Sequence, residues 1–113
     1  MIVCWRTVAI PEAEHDRFLE WIKDNREVRE QHGICAELVL EPPNRDGETV
    51  VVTIWPSHEV FDAWIATPER DRLTDSDVHR AVDYHPITRY DVIGGYLNLN
   101  GVAEADPTPE ASS

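Results

Sequence analysis

The chain has 113 residues, 42% of them hydrophobic, which suits one domain with a modest core and leaves too little for two. Its 22 acidic residues against 10 basic ones give a formal net charge of -12, a balance that repels nucleic acid and anionic membrane surfaces. No run of about 18 apolar residues occurs, and the opening MIVCWRTVAI has neither the basic start nor the length of a signal peptide, so a cytoplasmic protein is expected.

Ile2 to Ile10 reads as the first strand, stopped by Pro11. A helix is predicted from Glu12 to about His32: Glu12, Glu14 and Asp16 favour its N-terminus through the macrodipole, and Phe18, Trp21, Ile22 and Val28 form one stripe at 3.6-residue spacing. Gly33 is a natural C′ residue, because it takes positive φ without a Cβ clash. Ile34 to Leu40 is the second strand. A loop rich in Pro, Asn, Asp and Gly covers Glu41 to Gly47, and Glu48 to Trp55 is the third strand. Within it, Val50 to Ile54 is wholly β-branched, as befits a strand covered on both faces.

After Pro56, Ser57 is a plausible N-cap for a helix that places Val60, Phe61, Trp64 and Ile65 on one side. Thr67-Pro68 breaks that helix, with the proline in a first-turn position, and Asp75 to Tyr84 supports another short helix ended by His85-Pro86. Ile87 to Leu97 is the fourth strand, bent or ended near Gly94-Gly95. The domain is therefore taken as residues 1–97, with 98–113 a mobile tail of small and polar residues.

The order β-α-β-β-α-β defines an α+β, ferredoxin-like fold with a four-stranded antiparallel sheet. Helices cover one sheet face. The other face is still apolar, since Val50, Val52 and Ile54 point opposite to Val51, Thr53 and Trp55, and a second copy is its simplest cover: a homodimer with facing sheets.

The junction of strand and helix at Trp55, Ser57, Glu59, Phe61 and Trp64 resembles that of the antibiotic biosynthesis monooxygenase family of dimeric α/β-barrel proteins, and the resemblance extends over Met1 to Leu97 as a pattern of elements. It implies either cofactor-independent oxygenation of phenols and quinols or haem degradation. Trp55 resembles the strand-end tryptophan that lines the substrate cavity of quinone-forming members. Val51 stands where that branch has an asparagine, and Phe61 stands at what resembles a pocket tyrosine. Trp64 resembles the helical tryptophan beside haem in the haem-degrading branch, where Arg6 replaces a first-strand asparagine and the proximal histidine falls near Leu73 or at His79.

From the residues themselves, Trp55 and Trp64 read either as core packing or as a ligand wall. Arg6 interrupts an apolar strand and, if aimed at the helices with Cys4 and Val8, needs an anion: an internal carboxylate or a substrate. His79 and His85 are general-base candidates near neutral pH, against the plainer reading of solvated helix ends, and Asp83 lies i+4 from His79. Asp75, Asp77 and His79 make a poor metal cluster because helix geometry turns alternate residues apart, and no metal is expected. His15, His32 and His58 read as exposed helix-end residues. Cys4 and Cys35 read as reduced thiols.

The leading expectation is a monooxygenase without metal, flavin or other cofactor that acts on a small aromatic phenol or quinol. Its catalytic candidates are Arg6, His79 and His85, and its substrate-contacting candidates are Trp55, Trp64, Phe61 and Val51. A non-catalytic small-molecule-binding or structural dimer is the second reading, and a haem-binding or haem-degrading protein the third.

Overall fold

The structure, a computed structural model, describes residues 1–44 and 47–98. The elements run β1 (Ile2–Ala9), a 3-10 turn (Glu12–Glu14), α1 (His15–Asp24), α2 (Arg26–Gln31), β2 (Ala36–Leu40), β3 (Thr49–Trp55), α3 (His58–Ile65), α4 (Pro68–Thr74), α5 (Asp77–Arg80), β4 (Asp83–Tyr84) and β5 (Thr88–Asp91). The sheet is antiparallel with the order β2-β3-β1-β4, and β5 also pairs with β1. This is the ferredoxin-like α+β fold. The tail expected at 98–113 lies, after Asn98, outside the described residues.

Several elements differ from the sequence expectation. The single helix over Glu12 to His32 is broken at Asn25, whose side-chain amide donates to the Trp21 carbonyl at 2.8 Å and so competes with the helical ladder. The helix expected over Asp75 to Tyr84 is only four residues long, and Asp83 and Tyr84 leave it to pair with Ala9 and Val8. Pro86, which has no N–H, then separates β4 from β5, so two short strands in tandem take the place of one fourth strand along β1. Strand pairing over Ile87 to Leu97 is confined to Thr88–Asp91.

Short polar residues start the helices as their chemistry requires. Ser57 Oγ accepts from Val60 N, Thr67 Oγ1 from Arg70 N with Pro68 in the first turn of α4, and Ser76 Oγ from His79 N. Gly33 closes α2 at φ +103°, and a Cβ there would lie 2.7 Å from Val60 Cγ1, so the glycine serves both the turn and the packing of α3.

Strand alternation separates the two faces of the sheet. Ile2, Cys4 and Arg6 on β1 lie opposite Trp55, Thr53 and Val51 on β3 and face the helices. The outer face carries Trp5, Val52 and Leu38 in one row, with Leu40 and Tyr90 nearby. Trp5, Leu38, Leu40 and Tyr90 are exposed.

The core forms two clusters rather than one. Ile2, Cys4, Trp55, Phe61 and Trp64 make the first, and Val8, Phe18, Ile22 and Val82 make the second. Trp55 is 1% exposed, and cutting it to alanine would cost about 3–5 kcal/mol. A cavity draws its wall from both clusters.

Candidate functional site

The cavity between sheet and helices has a volume of about 140 Å³. Its apolar wall comes from Phe18, Trp21, Trp55, Phe61 and Trp64, and its polar wall from Arg6, Arg70, His79 and Tyr84. Cavities of roughly 150 Å³ take one benzene ring.

Each wall residue is set by its element. Trp55 ends β3; its indole donates to Thr53 Oγ1 at 2.9 Å, and its ring packs edge-on to Phe61 (5.2 Å) and stacks on Trp64 (6.4 Å). Both tryptophans are therefore core residues and cavity walls at once. Val51, opposite Arg6, lies on the same wall.

Arg6 Nε donates to the His85 carbonyl at 2.9 Å, and its guanidinium carbon lies 4.9 Å from the centre of the Tyr84 ring. Burial and the nearby Arg70 lower its pKa, against the opposing influence of Tyr84. Arg17, Arg29, Arg72, Arg80 and Arg89 each face a carboxylate within 4.0 Å. Among the described residues, Arg6 and Arg70 have no such partner.

His79 lies on α5. Its imidazole lies near-parallel to the Tyr84 ring, 4.3 Å away, with Trp21 tilted beside it at 5.6 Å. Burial lowers its pKa below the usual 6.5, Arg70 and Arg6 lower it further, and a hydrogen bond to the Thr74 backbone opposes them. The ring is thus neutral at pH 7, with its basic form available. No ion pair joins it to Asp83, which β4 carries away, and Asp75 and Asp77 are both bound by Arg80.

His85 lies elsewhere. Its Nδ1 is hydrogen-bonded to the Thr7 hydroxyl, in a separate hollow with His15, Glu41 and Glu48. The structure therefore brings Arg6, Val51, Trp55, Phe61, Trp64 and His79 to one cavity and leaves the His85 side chain outside it.

Three groups on the cavity wall had no assignment from sequence. Tyr84 was placed at a helix end; its hydroxyl is buried without a hydrogen-bond partner, and burial pushes its pKa up to about 12. Arg70 is placed by the Thr67-Pro68 start of α4, where its backbone N–H donates to the Thr67 hydroxyl. Arg29 pairs with Glu37 across α2 and β2, Nε to Oε2 2.7 Å, with both side chains largely buried. His15, expected to be exposed, is buried against Glu41 at 3.0 Å, and His58, also expected to be exposed, is half-buried and pairs with Asp91.

Cys4 and Cys35 are both free, and burial pushes the Cys4 thiol up. Among the described residues no group of three or more His, Cys, Asp or Glu side chains is arranged to hold a metal ion. No described helix is long and apolar enough to cross a membrane.

A ferredoxin-like sheet with an aromatic cavity under its helices defines the class. The chain belongs to the antibiotic biosynthesis monooxygenase family, whose model matches residues 1–74. It is similar in structure to HapK from Hahella chejuensis (17% identity, 87% of this chain and 99% of that one, TM-score 0.69). It is also similar to SnoaB, a cofactor-independent oxygenase from Streptomyces nogalater (18%, 83% and 92%, 0.62), and to the heme-degrader MhuD from Mycobacterium tuberculosis, which holds two hemes in its active site (18%, 85% and 99%, 0.67). At these identities the likeness shows the fold alone. No curated protein matches the chain.

Proposed function

We propose that this protein is a cofactor-independent monooxygenase that oxidises a small aromatic phenol or quinol in the cavity beneath the sheet. The supporting observation is the neutral His79 imidazole on an aromatic wall beside two guanidinium groups without carboxylate partners. A base and a cation are the two polar functions this reaction asks of a protein.

The phenol stacks among Trp21, Trp55 and Trp64, and His79 takes its hydroxyl proton. Arg6 stabilises the phenolate. The electron-rich ring then reduces O₂, a ring carbon bonds to oxygen, and loss of water from the hydroperoxide leaves the quinone, so that phenol and O₂ give quinone and water in equal amounts. Dispersion and aromatic contacts hold the ring, while the low-dielectric wall strengthens the charge interaction.

Haem chemistry fits these residues less well. A tetrapyrrole has several times the volume of the cavity as its side chains stand, and His79 is tied to the Thr74 backbone and packed face to face on Tyr84. The two unbridged thiols support a cytoplasmic setting.

The working form in this proposal is a homodimer with its sheets face to face. Trp5, Leu38, Leu40 and Tyr90 form an exposed apolar set on the face without helices, and an isologous contact would bury the set on each copy at once. Oxygen uptake with a panel of monocyclic phenols and hydroquinones tests the reaction. Saturable binding without uptake would favour the non-catalytic ligand-binding reading instead.

A further inference from the structure

The cavity wall is positively biased in a protein of net charge -12. Arg6, Arg29 and Arg70 lie on it against the single carboxylate of Glu37, and Glu37 is already taken by Arg29. Arg6 and Arg70 share the wall without a carboxylate between them, and the Arg70 charge lowers the Arg6 pKa. The buried Tyr84 hydroxyl, on the same wall, has no hydrogen-bond partner. Two like charges and an unused donor beside a low-dielectric space are costly unless an anion joins them.

A simple phenol is a weak answer, since it is neutral at pH 7 until His79 has acted. A carboxylate is charged throughout and accepts several N–H and O–H bonds at once. The cavity volume restricts the remainder of the molecule to about one ring.

We infer that the ligand is a monocyclic aromatic acid of the hydroxybenzoate class, its carboxylate held by Arg70 and the Tyr84 hydroxyl, its ring hydroxyl left to Arg6 and His79, and its ring against the tryptophans. This inference rests on the oxygenase reading for the ring hydroxyl, but its binding chemistry is separable from turnover. Arg70, at the start of α4, is then the residue that selects acids over neutral phenols. The carboxylate takes no part in the oxidation.

The test is calorimetric titration of the full chain with 4-hydroxybenzoate and with its neutral isostere 4-hydroxybenzamide, in the natural protein and in Arg70→Met. The acid should bind at least about tenfold more tightly than the amide, and the preference should fall to about threefold or less in Arg70→Met. Equal affinity for acid and amide, or binding of neither, would overturn the inference. A preference for the acid that survives Arg70→Met would overturn the role of Arg70. Tight binding of the acid without oxygen uptake would sustain the inference while removing the oxygenase reading, and uptake with neutral hydroquinones alongside equal acid and amide affinities would do the reverse.

Discussion

His79 and Tyr84 lie face to face, their ring centres 4.3 Å apart and their planes 16° from parallel. The contact joins the one neutral base on the cavity wall to a buried hydroxyl without a hydrogen-bond partner. It also exists only because the chain leaves α5 after Arg80 and turns back along β1 as β4.

Tyr84→Phe keeps this stacked ring and removes the orphan hydroxyl. Since an unsatisfied buried polar group costs about 1–3 kcal/mol, the variant should be as stable as the natural protein or more stable by up to about 1 kcal/mol, while binding aromatic acids more weakly. Urea unfolding beside calorimetric titration would show it; a clear loss of stability would mean that the hydroxyl already has a partner.

Removing the Arg6 charge should cost the fold much less than stranding the Arg29 charge. Arg6→Met keeps much of the apolar stem and removes the bond to the His85 carbonyl and the charge over the Tyr84 ring, so it should cost about 0.5–1.5 kcal/mol in stability and weaken ligand binding. Glu37→Leu strands the buried Arg29 guanidinium and should cost about 3–5 kcal/mol. Denaturant midpoints that fall equally for the two variants would contradict this division into a functional and a structural arginine.

The pH dependence has a definite sign. His79 has a lower pKa folded than unfolded, so the unfolded chain binds more protons between the depressed value and 6.5. The His79 contribution to stability is complete above pH 6.5 and falls away as pH drops from 6.5 through the folded value. Turnover should rise with pH and level off at a lower pH than an unperturbed histidine would give, since the neutral ring is the base. Stability curves of the natural protein and His79→Gln should converge in shape above pH 7 and diverge below 6.5; parallel curves throughout would refute the shift.

Much of the fold was legible because its signals are local. The β-branched run Val50 to Ile54, the Ser57 cap and the Gly33 turn depend on neighbours in sequence, and the structure keeps all three elements. The break at Asn25 was not legible from the apolar stripe, because Phe18, Ile22 and Val28 stay in register with the core on both sides of it. Nor was β4, whose two residues acquire their strand only by pairing with Val8 and Ala9. The site divided along the same line. Trp55, Phe61 and Trp64 follow from one strand–helix junction, whereas the Arg29–Glu37 pair and the Tyr84 position depend on contacts between distant elements.

The outer sheet face gives an independent test of assembly. Trp5→Glu places a charge in the middle of the exposed apolar set, between Val52 on β3 and Thr88 on β5. Light scattering at micromolar concentration should report a dimer for the natural chain and a monomer for the variant, because a buried unpaired carboxylate costs several kcal/mol in each of two symmetric copies. A natural chain that is already monomeric would exclude the face-to-face assembly.

The most direct measurement is oxygen consumption by the purified, metal-free protein supplied with a phenol or hydroquinone, the natural chain beside His79→Gln. The account predicts uptake well above the substrate's own autoxidation, one O₂ for each quinone formed from a phenol, and a loss of roughly 10²–10⁴-fold in His79→Gln. No uptake above that background with any substrate that binds, or equal rates in the two proteins, would contradict it.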